Sequence, residues 1–183
     1  MFCHAIMQSS KYFFNSTTWK YTKPLVQAYD GLLSDFKKLS MDDYVSSDTG
    51  YNNTYIKSNN WSLFPFISKS KCYQENIDRC STVKNLLDTM PIYDNCMFSI
   101  INSGGIIPSH QGFSNHHLRV HLGLKTDGSA WIRVGDQVQH WEEKKVIVFD
   151  DWEDHEVSNP SSNPRVIFLF DIKREDYFDN IIG

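Results

Sequence analysis

Cysteine is scarce: the chain has four among 183 residues, and Cys3, Cys72, Cys80 and Cys96 form no CxxC pair. That pattern does not resemble a small disulfide-stapled secreted scaffold, and reduced thiols in a cytosol-like compartment are the expectation. No stretch approaches the ~20 apolar residues that a membrane span requires. Residues 1–19 lack both a basic segment and an apolar one, so no leader is expected and the chain is read as soluble and cytoplasmic. Concentrated charge is also missing. The formal net charge is -4 with both signs scattered, which argues against a nucleic-acid groove. The N-x-S/T sequons at Asn15, Asn52 and Asn60 are expected by chance in a chain rich in Asn and Ser, and do not move the compartment.

What is present is a globular balance, 40% hydrophobic and 14% aromatic, at a length that suits one domain with one core. Residues 1–95 are expected to form a supporting region of helix and loop, and 96–175 a β core. Leu25, Tyr29, Leu32, Phe36 and Leu39 recur at three- and four-residue steps, with Pro24 suited to a first turn, so 23–39 is predicted to be an amphipathic helix. From 40 to 60 the composition turns to Ser, Asp, Asn, Thr and Tyr without periodicity, as in a surface loop or a lid. A second, short helix is predicted from a cap near Ser81 to Met90, where Pro91 stops it.

After Pro91 the texture becomes short β-like runs at 96–101, 118–124, 130–134, 138–141, 145–150 and 165–171. Gly135-Asp136 reads as a hairpin turn, and Ser103-Gly104-Gly105 and Asp127-Gly128 as breaks. Many short strands at close spacing predict a sandwich or jelly roll. In Arg165-Val166-Ile167-Phe168-Leu169-Phe170-Asp171 both faces are apolar, and alternation puts Arg165 with Ile167 and Leu169. A buried guanidinium needs a partner, and its planar fork suits a carboxylate. Arg119 and His121 share one face of the strand at 118–124, a face that either meets solvent or lines a pocket for anions.

His110 lies in Pro108-Ser109-His110-Gln111-Gly112, and His155 follows 45 residues later in Asp154-His155-Glu156-Val157. Two histidines delivered by separate strands can converge on one metal, whereas His4, His116, His117 and His140 are expected to be ordinary hydrogen-bonded residues. The segments 107–112, 118–124, 141–144, 149–157 and 165–171 together resemble the aspartyl/asparaginyl β-hydroxylase family of iron(II)- and 2-oxoglutarate-dependent oxygenases; residues 1–60 match no pattern of it. The resemblance implies a double-stranded β-helix, or cupin-like jelly roll, with flanking N-terminal helices. It implies that His110 and His155 ligate iron(II), that Arg165 with Ser99 holds the far carboxylate of 2-oxoglutarate, that Arg119 and His121 serve its near carboxylate or the substrate, and that Trp61 walls the cosubstrate pocket. O2 would be the second cosubstrate, with succinate and CO2 as co-products.

The carboxylate that usually follows the first histidine of the metal triad by two residues is replaced here by Gly112, as is common in that family. Asp150, Asp151 and Asp154 are the alternative carboxylates. Alternation allows at most one of Asp150 and Asp151 to point inward, and structural roles in the turn before His155 are expected for both. The expected substrate is an Asp or Asn residue of a peptide, or a free amino acid, because an arginine near the metal favours a carboxylate. The competing readings are a hydroxylase of a lipid or other small molecule, a jelly-roll binding module without turnover, and a halogenase that uses the position vacated at Gly112.

Overall fold

The computed structural model describes residues 11–46 and 60–182. Twelve strands are present among them: β1 (Phe13–Phe14), β2 (Val45–Ser46), β3 (Trp61–Ser68), β4 (Lys71–Cys72), β5 (Tyr93–Ile101), β6 (Ile106–His110), β7 (His117–Lys125), β8 (Trp131–Val134), β9 (Gln137–His140), β10 (Val146–Phe149), β11 (His155–Ser158) and β12 (Arg165–Lys173). They form two antiparallel sheets. The larger runs β1-β10-β7-β12-β5-β3-β2 with β4 beside β3, and the smaller runs β6-β11-β8-β9. The helices are α1 (Thr22–Gln27), α2 (Tyr29–Lys37), α3 (Gln74–Arg79), α4 (Ser81–Thr89) and α5 (Arg174–Phe178).

Period-two alternation gives the large sheet two apolar faces and the molecule two cores. Phe168, Phe170 and Ile172 of β12, with Val120 and Leu122 of β7 and Phe98 of β5, pack against Leu25, Leu32, Val83 and Leu86 of the helical layer. Their neighbours in sequence, Ile167, Leu169 and Met97, meet Ile107, Ile132, Val134 and Val157 of the small sheet together with Phe149 of β10. Arg165, Ser99 and His121 lie on this second face and are buried between the sheets. The expected fold, a jelly roll with flanking helices, is the fold observed. The predicted turn at Gly135-Asp136 joins β8 to β9, with Gly135 at a φ of 57° that suits glycine.

Several elements differ from expectation. The predicted helix at 23–39 is divided at Ala28, where the amide bonds to Pro24 O at 3.1 Å and Leu25 O at 3.2 Å before α2 begins. The cap predicted at Ser81 comes instead from across the layer: no side chain caps α4 locally, and buried Asp35 of α2 accepts the Thr82 amide at 2.8 Å. At Gly31 a Cβ would stand 2.6 Å from Thr82 Oγ1, so this glycine lets α2 approach α4. Residues 1–95 are more than helix and loop, because β3 crosses them as an interior strand. Pro65 conceals it in the sequence, and Pro65 sits where the register with β5 shifts, a place where a strand tolerates a missing donor. The loop or lid expected at 40–60 lies largely outside the described residues.

Phe168 has no exposed surface, and its ring contacts Phe98 and Phe170 at 5.7 and 5.6 Å between centroids. Phe168→Ala is therefore expected to destabilise the fold by about 3–5 kcal/mol, read as a shift of the urea unfolding midpoint at unchanged m-value.

Candidate active site

β6 ends in His110 and β11 begins with His155, and their antiparallel register sets the two residues opposite each other. Their ring centroids are 4.1 Å apart. Each Nδ1 stands 2.8 Å from a carbonyl two residues earlier, that of Pro108 for His110 and that of Glu153 for His155. A carbonyl only accepts, so each Nδ1 carries the proton and each Nε2 keeps its lone pair. This is how protein sites orient metal-binding histidines. Burial pushes the His155 pKa down to about 4, against the opposing pull of Asp151, so its imidazole is neutral near pH 7.

Of the three alternative carboxylates, one turns inward. Asp151 is 5% exposed, and its Oδ1 lies 3.3 Å from His155 Nε2. Both atoms are acceptors when His155 is neutral, so the space beside them favours a cation. Asp150 turns away to Arg174 Nη2 at 2.7 Å, and Asp154 to Arg133 and Ser109. Alternation thus separates Asp150 from Asp151 as expected, but Asp151 is not confined to shaping the turn. Gly112 explains the space it occupies. The Gly112 amide donates to Asp151 O at 2.7 Å, and a Cβ at 112 would stand 2.5 Å from that oxygen and closer still to Asp151 Oδ2.

Arg119 is engaged on both sides. Its Nη1 donates to Asp151 Oδ1 at 2.6 Å, while Nε and Nη2 grip Asp171 Oδ1 and Oδ2 at 2.8 and 3.1 Å. Asn95 Nδ2 completes Asp171 at 2.7 Å. Asp171 was legible: alternation along β12 places it on the face of Arg165, Ile167 and Leu169. Asn95 carries no comparable signal. Among the described residues, Asp94, His117 and Asp171 also offer ligand atoms within 4.8 Å of one another. Arg119 already compensates Asp171 there, which leaves less charge for an ion, and this group shares no residue with the His110–His155 pair.

Deeper between the sheets a second cluster is rich in unused donors. Arg165 is 2% exposed, its guanidinium lies 4.5 Å from the Trp141 ring centroid, and its Nε and Nη1 have no hydrogen-bond partner. Burial pushes its pKa down to about 9, so it remains a cation near pH 7. Trp141 Nε1 donates to His121 Nδ1 at 3.3 Å, which assigns the ring proton of His121 to Nε2, and that atom too is buried without a partner. Burial, with Arg165 and Arg119 nearby, holds the His121 pKa well below its usual value, so the ring is neutral. Ser99 accepts from Trp61 Nε1 at 3.0 Å, so its own hydroxyl proton can turn elsewhere. Buried donors without acceptors are costly, and this set is complementary to a carboxylate. His110, His155 and Arg119 thus lie on one side of this space, His121 and Arg165 meet at Trp141, and half-buried Trp61 joins Ser99. His140 and His116 are exposed, and His4 lies outside the described residues.

Comparison with known proteins bears on the family of the chain. A family model described as aspartyl/asparaginyl beta-hydroxylase matches residues 27–175. The chain is 28% identical over 158 residues to aspartate beta-hydroxylase domain-containing protein 2 of Mus musculus, covering 81% of this chain and 46% of that protein. It is 32% identical over 143 residues to the ornithine lipid ester-linked acyl 2-hydroxylase of Rhizobium tropici, covering 76% and 47%. The chain therefore spans about half the length of these curated relatives. Among solved structures, a prolyl hydroxylase from Trichoplax adhaerens, in complex with a hypoxia inducible factor peptide, superposes with a TM-score of 0.53 at 15% identity over 83% of this chain and 81% of that one, a likeness of fold.

Two outcomes follow from this geometry. Gly112→Asp, which the strand register alone would favour as an added ligand, is expected to lower both stability and Mn(II) affinity, because its Cβ meets the Asp151 backbone; tighter Mn(II) binding would show that the turn yields. The second concerns pH. An unfolded histidine titrates near ~6.5, and folded His155 at about 4, so on acidification the unfolded chain takes up the proton first. The metal-free stability is full above ~6.5 and is lost as the pH falls towards and through about 4, by about 3 kcal/mol in all. His155→Gln should flatten that slope in urea titrations across the window.

Proposed function

The chain belongs to the aspartyl/asparaginyl β-hydroxylase family, and from that premise we propose that it is an iron(II)- and 2-oxoglutarate-dependent oxygenase that hydroxylates a C–H bond of an organic substrate. The observation that carries this reading is the coincidence of two facing histidine rings, each with its Nδ1 engaged by a backbone carbonyl, with a buried guanidinium whose Nε and Nη1 lack acceptors. His110 and His155 would hold the iron, with Asp151 as the acidic group beside His155. Arg165 and the Ser99 hydroxyl would hold the far carboxylate of 2-oxoglutarate, and the Nε2 proton of His121 is available to the near one. When bound, iron(II) would supply the oxidising chemistry, in which 2-oxoglutarate, O2 and the C–H substrate together become succinate, CO2 and an alcohol. The chain orients these groups and keeps water out: Phe149 packs against both His121 and His155, at 5.0 and 5.9 Å, and Met97 and Leu169 wall the same space.

The ionic partners of Arg119 bear on the substrate. An incoming carboxylate would have to displace Asp151 or Asp171 from it, and both are buried. That removes the reason for ranking an aspartyl side chain or a free amino acid first. It favours a substrate that is neutral at the reacting carbon, and an acyl chain, of the kind named for the Rhizobium tropici relative, fits the apolar wall. A binding module without turnover would keep the fold and fail the assay below.

With Mn(II) in place of iron, 2-oxoglutarate at about 100 times its dissociation constant should stabilise the wild type by about 2.7 kcal/mol. His110→Ala and His155→Ala are expected to lose that stabilisation together with Mn(II) binding. Arg165→Met is expected to lose the 2-oxoglutarate response alone while the ligand-free melting temperature holds or rises, because an unpaired buried cation has gone. An assay of 2-oxoglutarate decarboxylation with iron(II), offered acyl lipids, peptides and amino acids, then identifies the substrate class by which of them stimulates turnover. Unchanged ligand responses in these variants, or no stimulation by any class, would overturn the assignment.

A further inference from the structure

Building on the oxygenase reading above, we propose that Asp171, with Asn95 behind it, is a positioning residue that acts through Arg119 to set the place and charge of the Asp151 carboxylate beside His155. The connection is continuous. The Lys69 amide donates to Asn95 Oδ1 at 3.1 Å, Asn95 Nδ2 to Asp171 Oδ2 at 2.7 Å, Arg119 bridges Asp171 to Asp151, and Asp151 Oδ1 lies 3.3 Å from His155 Nε2.

Each link has a separate task. Asp151 sits in the turn before β11, outside any strand, so the sheet ladder does not fix its side chain. The two-point grip of Asp171 on Nε and Nη2 fixes the plane of the planar guanidinium, and a fixed plane aims Nη1 at Asp151 Oδ1. Asp171 spends both oxygens on this grip and on Asn95, is 1% exposed, and among the described residues caps no helix or backbone amide.

Charge gives the second half of the argument. Arg119 with Asp171 alone would be a neutral pair. With Asp151 added, two carboxyl groups share one guanidinium, an excess of acidic groups over basic ones in a buried place where burial raises the Asp171 pKa and Arg119 opposes that rise. The carboxyl group beside His155 Nε2 is the one not gripped at two points. A divalent cation at His110 and His155 would offset that excess. Without Asp171, Arg119 would belong wholly to Asp151, and the acidic group facing the cation would be neutralised.

The test is a double-mutant cycle on Mn(II) affinity in the full chain, with Asp171→Asn, Asp151→Asn and both together. Asp171→Asn is expected to weaken Mn(II) about 10–100-fold, the range for groups that support metal ligands from behind. It should also change the electron paramagnetic resonance spectrum of saturated Mn(II) in the direction that Asp151→Asn does. Because the carboxylates of 171 and 151 act through the same guanidinium, the double variant should be little worse than the weaker single variant. Asn95→Ala, which leaves the Arg119–Asp171 pair in place, should show a smaller loss of the same kind, and it carries the cycle if Asp171→Asn does not fold. Unchanged Mn(II) affinity and spectrum in Asp171→Asn, or losses that simply add, would overturn the positioning role while the oxygenase reading stands. A wild type that does not bind Mn(II) would overturn both.

Discussion

The site depends on one register. β6 and β11 pair so that His110 faces His155, and a slip of one residue along β11 would turn the buried His155 imidazole away from it. The small sheet fixes the face of His155 through Val134, Ile132 and Val157, whose burial against the large sheet leaves β11 no alternative face. A register shift between His155 and Val157 then sets His110, rather than a residue in step with Ile107, opposite His155. The carbonyls of Pro108 and Glu153 then settle which nitrogen of each ring is basic. Donor geometry at the site is thus a by-product of ordinary packing. The acidic group is a different matter, because Asp151 comes from a turn and is held by side chains.

Strand alternation made most of the fold legible. The runs at 118–124 and 165–171 carry apolar residues at every second position on one face, and Arg119, His121 and Arg165 fall on the opposite face for that reason alone. Whether that face met solvent or a second sheet was not decided by the pattern, since polar-out strands are the common case. The structure buries His121 and Arg165 and leaves both with unused donors, an arrangement that single-strand periodicity cannot reveal.

The misreadings have local causes. Pro65 interrupts an apolar run and hides β3, which supplies Trp61. Ser81 has the composition of a cap, yet the charge that caps α4 arrives from Asp35, 47 residues away in sequence. Gly112 read as an absent ligand. In the folded chain it is the clearance that admits Asp151, so the missing side chain and the inward aspartate are two halves of one substitution.

β12 is hydrogen-bonded to β5 on one side and β7 on the other, and it contributes alternate residues to both apolar clusters. Its amides cannot meet solvent while either core is intact. Arg165, Leu169 and Asp171 face the second core while their neighbours Val166, Phe168 and Phe170 face the first, so an opening that frees β12 dissolves both cores at once. In hydrogen exchange the central amides of β12 would be the slowest in the molecule, exchanging only through global unfolding. The residues turned towards the site thereby share the lifetime of the whole fold.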